Sequence, residues 1–503
     1  MGIVIRQSIK TSLVVVTGAM LGALVVWLSA RYPSIPQYGY IKNITNYALV
    51  MSQILLFGLN STLAVYIHKY TNDQSKSKLL ITLCILIPAI MITLFSAFYL
   101  FFKKWVLHHF QPEDVPFMYK YYLWLPLFIT LFLYMTLLEQ FLGSQMKVAI
   151  SAFMREIVLR IANIFFLILF AFHFISFSTL IAGIVLSYLL PVVILVFISL
   201  RSKVFGLSTN FNAFSKPEYN ELIGFTWYHF LYNISIMLIG YMDSLSLPFY
   251  DHKGLSSVAI YGVAVFLISI LQMPLKALIT ASFTVLAKAF ADDDLPKARD
   301  LFNRTSINVL IPTVLISLLL VCNLQNAVDT IGKGYTDTKL VFLILLGGAL
   351  FNIATGMNDQ VISIAKYYKF NFYLSTILML VLFSLIRFLV PRYGMYGAAS
   401  STTITYILFN TIKYIFIKKK LDMQPFSKGT VLTIIAALPA LAIGYFFPNF
   451  FNFVHNVYIH AFLDATIRSI IITLIYVLML LWLKPSADLD GYIAAIKKDK
   501  RLF

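Results

Sequence analysis

Four polar residues, Ser269, Gln272, Lys276 and Thr280, recur at spacings of three and four inside an otherwise apolar run that begins at Leu267. That spacing puts them on one face of a helix. An ammonium within a bilayer costs about 3 kcal/mol or more, and is normally kept facing a bundle interior or a water-filled cavity. Held there, it is a natural partner for an anion such as a phosphate. Pro274, two residues before the lysine, lacks a backbone donor and can kink the helix. The run ends in a charge-dense loop containing Lys288, Asp292, Asp293, Asp294, Lys297, Arg299 and Arg304. Lys276 precedes Lys288 by 12 residues. That is about 18 Å of helix, a long reach for a side chain snorkelling to the interface. The stretch therefore reads as a cavity-lining transmembrane helix that runs into a cytoplasmic hairpin.

Other polar groups fall at helical spacing. Asn46, Gln53 and Asn60 are seven apart and lie nearly on one face. They read either as a wall of one cavity opposite the Lys276 stripe or as hydrogen-bonding glue between helices. Thr226, His229 and Asn233 share a face, and an imidazole titrating near neutral pH suits ion coupling. A packed, hydrogen-bonded histidine is the commoner outcome. Asp243, at the outer end of the same segment, is a third ion-coupling candidate, with a solvated helix-end carboxylate as the plainer reading. In Arg155-Glu156-Ile157-Val158-Leu159-Arg160, Glu156 is spaced to neutralise Arg160, which leaves Arg155 to contact an anion. Arg6 and Lys10 are further anion candidates, and equally ordinary positive-inside anchors. Arg387 and Arg468 lie near enough to the outer face to snorkel.

The elements that must hold these residues are transmembrane helices. Of 503 residues, 60% are hydrophobic and only 12% charged, against about 25% charged in a soluble domain. The apolar runs are about 20 residues long, which suits helices rather than barrel strands. Fourteen can be drawn, near 8–30, 43–67, 79–102, 119–142, 150–171, 177–200, 219–243, 256–287, 305–325, 338–359, 370–390, 396–417, 429–447 and 462–483. With the N-terminus inside, 25 of the 39 basic residues fall on the cytoplasmic side. This predicts both termini inside and accounts for most of the +18 net charge without an anionic partner. Cys84 and Cys322 both lie in apolar runs, so no disulfide framework or thiol metal site is expected. The first run ends in Leu28-Ser29-Ala30 and has a basic start, as a cleaved signal would, but it is long for one and the helix count favours its retention.

The fold class predicted is all-α and polytopic, and a weak internal repeat divides it. Tyr38-Gly39-Tyr40 at the second segment is echoed by Tyr261-Gly262-Val263 at the eighth, and Gln145-Met146-Lys147 by Lys366-Tyr367-Tyr368-Lys369. The expected plan is an N-lobe of helices 1–6 (1–201), a cytoplasmic linker (202–218), a C-lobe of helices 7–12 (219–420), two further helices (421–484) and a basic tail (485–503). Paired lobes of this kind commonly enclose a substrate near the bilayer midplane. No phosphate-binding loop, nucleophile elbow or metal-ligand cluster occurs, so neither an enzyme nor a cofactor nor a metal site is predicted. The intramembrane polar groups are mostly neutral or cationic, which favours an anionic headgroup as cargo.

Particular motifs carry a family resemblance. Arg387 to Ala399, RFLVPRYGMYGAA, resembles the "IPxyGxxGAA" stretch of polysaccharide flippases in the multidrug/oligosaccharidyl-lipid/polysaccharide (MOP) exporter superfamily. Asp243 followed by Ile260-Tyr261-Gly262-Val263-Ala264 resembles their seventh-to-eighth helix pattern, and Asp292-Asp293-Asp294-Leu295-Pro296-Lys297-Ala298-Arg299 their charged turn before helix nine. Together these cover much of 219–420, in family order. The resemblance implies two lobes opening alternately to the two sides of a bacterial inner membrane. It implies ion-driven transfer of an undecaprenyl-pyrophosphate-linked oligosaccharide from a cationic cavity. Membrane lipids, a polysaccharide polymerase and glycosyltransferases are the partners it suggests, and nucleic acid is not among them. On that reading Lys276 and Arg155, with Arg6 and Lys10, would hold the phosphate. Gln53, Asn60, Gln272 and Thr280 would face the sugars, with His229, Asn233 and Asp243 left for the ion. Few other unpaired cations lie deep in this chain, a departure from the family picture. Rival readings are a lipid II flippase, a multidrug or cation antiporter of the same fold, and a non-transporting membrane scaffold. The antiporter needs a carboxylate deep in a lobe, whereas Glu139, Glu156, Glu221 and Asp359 lie near cytoplasmic helix ends.

Overall fold

The computed structural model describes residues 2–202, 204–448, 454–489 and 491, with the side chains of 2–13, 280, 281, 333 and 368 outside the description. Most of the basic tail lies outside the described residues. The described chain is helical throughout, with no strand. Contacts divide it into Met1–Gly262 and Val263–Phe503.

The first unit opens with α1 (Gly2–Arg31) and α2 (Ile35–Leu56). Ser34 caps α2, its backbone N–H donating to Gln37 Oε1 at 2.9 Å, and Pro36 sits in the first turn, where its missing donor costs nothing. The chain breaks at Phe57 and Gly58, both in the left-handed region (φ 52 and 79), and resumes as α3 (Leu59–Lys69) bent by 49°. Then come α4 (Gln74–Phe101), whose first turn Asp73 caps, the short α5 (Lys103–His108) and α6 (Val115–Lys120), and α7 (Trp124–Ser144). Next, α8 (Val148–Phe153) passes through a single π turn, Met154–Val158, into α9 (Leu159–Ala171). After α10 (Phe177–Leu186) and α11 (Leu189–Leu200) comes α12 (Lys216–Tyr250), opened by a Ser215–Glu218 capping box. The unit ends within α13 (Leu255–Leu271). Its core is aliphatic and aromatic, with Leu56, Leu63, Ile67, Phe128 and Ile129 almost fully buried. Where buried tyrosines cross it their hydroxyls find backbone partners, as Tyr40 does at Tyr121 O (2.8 Å) and Tyr122 at Tyr99 O (2.7 Å).

The second unit continues with α14 (Met273–Ala291), α15 (Leu295–Cys322), α16 (Leu324–Ile331), α17 (Thr338–Ala354), α18 (Asn358–Ile364), α19 (Tyr368–Leu421), α20 (Lys428–Tyr445) and α21 (Val457–Leu483). The 54 residues of α19 are two helices, not one. Phe370 and Phe416 stack with centroids 3.9 Å apart, whereas a straight helix would separate them by about 70 Å. The reversal lies at Pro391 to Gly394, where Gly394 leaves the helical region (φ 55, ψ −133). Segments 370–390 and 396–417 therefore form the antiparallel pair that the sequence predicts.

Eleven helices among the described residues are long and apolar enough to cross a membrane, or twelve with α2–α3 counted as one bent span. The predicted fourteen is not confirmed. The difference has two sources: 369–421 counts once, and 150–171 does not count, its helix being interrupted by the π turn that carries Arg155 and Glu156.

Candidate functional site

The bend between α2 and α3 builds a cavity. A side chain at Gly58 would place its Cβ 2.5 Å from Thr226 O and 2.8 Å from Phe230 N, so only glycine admits the α12 backbone there. Thr62 and Thr226 then meet through their hydroxyls at 2.7 Å, and Asn233 Nδ2 donates to Ser61 Oγ at 3.1 Å. Beside this seam lies a cavity of about 500 Å³, lined by Gln53 on α2, Asn60, Ser61, Ala64 and Val65 on α3, Gln140 on α7, and His229, Asn233, Ile236 and Met237 on α12. The volume falls within the ~300–1,000 Å³ of small-molecule sites. Asn60 Nδ2 donates to Gln53 Oε1 at 3.3 Å across the bend. His229 stacks on Phe225 at 3.9 Å and its Nδ1 donates to the Phe225 carbonyl at 3.0 Å.

The seam extends in both directions from the cavity. At the start of α12, Lys69 reaches both carboxylate oxygens of Glu221 at 2.9 and 3.0 Å, Tyr66 donates to the same group, and Lys76 pairs with Glu218 at 2.6 Å. Toward its end, Asn46 Nδ2 donates to Ser244 Oγ at 2.8 Å and the Tyr47 hydroxyl to Leu245 O at 3.2 Å. The predicted Asn46–Gln53–Asn60 stripe therefore divides: Asn46 joins helices, while Gln53 and Asn60 face the cavity.

Four of the predicted site residues, Gln53, Asn60, His229 and Asn233, come together here. Ser61 and Gln140 complete the polar lining and were not singled out from the sequence. Ser61 adjoins Asn60, and Gln140 follows Thr136 by four residues, which puts the two on one face of α7. Arg155 is elsewhere and occupied: its Nε donates to Glu139 Oε1 at 2.9 Å, and a second, shorter contact joins the same carboxylate. It is not the unpaired anion contact that the sequence suggested, because Glu139, 16 residues upstream, neutralises it. Arg160 does pair with Glu156 as its spacing predicts, and also donates to Gly18 O. Asp243 departs from the solvated reading. It is 4% exposed, accepts the Ser244 N–H at 2.6 Å and holds the Tyr261 hydroxyl.

In the second unit Lys276 lies in the first turn of α14 with its side chain exposed, one turn after the partly buried Gln272. The side chains of Thr280, Arg6 and Lys10 lie outside the described residues. Arg468 does not snorkel. It is 8% exposed, donates to Asp464 at 3.1 and 3.2 Å and to Gly444 O at 2.8 Å, while Asn326 donates to Asp464 at 2.6 Å. Lys413 is fully buried against Asp359 and lies over the Phe409 ring at 3.2 Å. Among the described residues no group of three or more His, Cys, Asp or Glu side chains could hold a metal ion.

A family model described as polysaccharide biosynthesis protein matches residues 4–290, more than half of the chain. The chain belongs to that family. No curated protein sequence is significantly similar to it. Solved structures agree in fold. A lipid II flippase MurJ in its inward closed conformation superposes with TM-score 0.70 at 17% identity, over 95% of this chain and 99% of that one. An inward-facing multidrug resistance MATE family transporter of the MOP superfamily gives 0.64 at 11%, over 81% and 94%. A MOP superfamily transporter from Pyrococcus furiosus gives 0.53 at 12%, over 83% and 96%. This polysaccharide biosynthesis family member thus has the MOP transporter fold, and its apolar helices make it a multi-pass membrane protein.

Proposed function

We propose that the chain is a flippase that carries an undecaprenyl-pyrophosphate-linked oligosaccharide across a bacterial inner membrane, with both termini cytoplasmic. The carrying observation is an open cavity between α2, α3, α7 and α12, carrying amide, hydroxyl and imidazole side chains, in a member of a polysaccharide biosynthesis family. In this reading Gln53, Asn60 and their neighbours contact sugars, and Lys276, with Gln272 and Thr280, meets the pyrophosphate. Arg155 is withdrawn from that role because Glu139 holds it. Alternating access would part α12 from α3 along the seam, starting at the Glu218 and Glu221 pairs, since hydrogen bonds between membrane helices are worth only about 0.6–2 kcal/mol each and can reopen. Ion coupling falls to Asp243, a buried carboxylate held by a hydroxyl, because His229 and Asn233 belong to the cavity. A glycan polymerase and glycosyltransferases would act on either side of the step.

Depletion of the protein from cells tests this. Lipid-linked oligosaccharide should accumulate in the cytoplasmic leaflet and surface polysaccharide should be lost, both restored by the wild type but not by Lys276→Ala. Normal distribution with raised sensitivity to cationic drugs would replace the flippase by an antiporter. The extent of the MurJ likeness favours a second reading, a lipid II flippase. That reading predicts lysis and accumulated lipid II on depletion instead of loss of surface polysaccharide.

A further inference from the structure

We infer that the cavity on the first unit seats uncharged sugars and rejects acidic ones. The inference rests on the flippase reading and narrows its substrate class. Its warrant is the balance of donors and acceptors. Gln53 and Asn60 share one hydrogen bond. Whichever way the two amides are turned, one carbonyl and N–H groups remain for a ligand. Asn233 spends one N–H on Ser61 and keeps its carbonyl. The His229 Nδ1 proton is given to Phe225 O, which leaves Nε2 for a ligand, and the Phe225 stack holds the ring in that plane. Gln140 adds an exposed amide with both functions.

A phosphate or a carboxylate only accepts hydrogen bonds. In this cavity it would satisfy the N–H groups but turn its charge toward the amide carbonyls. Among the ten described lining residues none is a lysine, arginine or acid, so an acidic sugar meets no permanent cation among them. A sugar hydroxyl donates and accepts at once and can match every group present. Ala64, Val65, Ile236 and Met237 supply an apolar surface for the C–H face of a ring. The wall therefore reads the glycan and leaves the phosphate to be held by other residues.

The test uses purified full-length protein in lipid vesicles. Two probes are compared: an undecaprenyl-pyrophosphate trisaccharide of neutral sugars bearing a fluorophore, and the same lipid with its terminal hexose replaced by the uronic acid. Transfer is read as protection from a membrane-impermeant quencher. The neutral form should move at least about tenfold faster. Gln140→Arg, at an exposed position, should shrink that ratio by supplying a cation. If the two lipids move at the same rate, the flippase reading stands and the neutral-sugar inference is overturned. If neither moves, the flippase reading itself fails. The wild-type ratio decides the matter even if the variant does not fold.

Discussion

The α2–α3–α12 cavity and the paired cations of the helices treat polar groups in opposite ways. In the cavity the groups are neutral amides, a hydroxyl and an imidazole, partly paired and with hydrogen-bonding capacity left over. At Arg155, Arg160, Lys413 and Arg468 each charge is matched by a carboxylate, at Glu139, Glu156, Asp359 and Asp464. The difference follows from cost. A dipole with one unmatched hydrogen bond is affordable beside a cavity that can hold water, whereas an unmatched charge is not. Two of these pairs, Arg155–Glu139 and Lys413–Asp359, join separate segments and two lie within one helix, and on the flippase proposal recognition in the first unit would fall to the neutral groups.

The contrast can be broken most strongly at Arg468→Ala. It strands Asp464, which is fully buried, and should cost about 3–5 kcal/mol. Thermal unfolding in detergent should show a large drop, and a paired Arg468→Met, Asp464→Leu variant should recover most of it. An equal drop in both would mean that packing and not charge matching holds the site. Gly58→Ala comes next. Its Cβ collides with Thr226 O in a left-handed backbone, at a cost of about 1–3 kcal/mol, and it should abolish surface polysaccharide by displacing α12. Asn60→Ala or Asn233→Ala should slow transfer of a neutral glycan roughly fivefold or more while leaving the unfolding midpoint nearly unchanged; a destabilised but fully active protein would make them glue like Asn46. The smallest effect on stability belongs to Glu221→Gln, which loosens an exposed pair. In a variant lacking Cys84 and Cys322, Ser61→Cys should then react faster with a membrane-impermeant thiol reagent from the cytoplasmic side. An unchanged rate would show that Glu221 does not guard the cavity.

Much of the architecture was legible beforehand because it is local. Each apolar run predicted from the sequence is mostly helix, although 43–67 is broken at Phe57–Gly58, and the 54-residue α19 resolves into the two segments drawn from hydropathy. Gln53, Asn60, His229 and Asn233 were readable because a helix face repeats every three to four residues. The Glu156–Arg160 and Asp464–Arg468 pairs are i,i+4 neighbours and equally local, and the second holds Arg468 in place of the snorkelling expected of it.

The sequence by itself determined which segments are helical, that 370–390 and 396–417 are separate, and which faces carry polar groups, since backbone conformation and burial in an apolar solvent depend on residues a few positions apart. Tertiary structure alone decided what each polar face meets. Asn46 is spoken for by Ser244, 198 residues away, and Glu221 by Lys69, 152 away. Asn60, on the same stripe as Asn46, keeps a free face because the 49° bend turns α3 along a cavity. No pattern within one helix encodes the identity of the neighbour, so whether a side chain binds cargo or another helix is settled only when the helices pack.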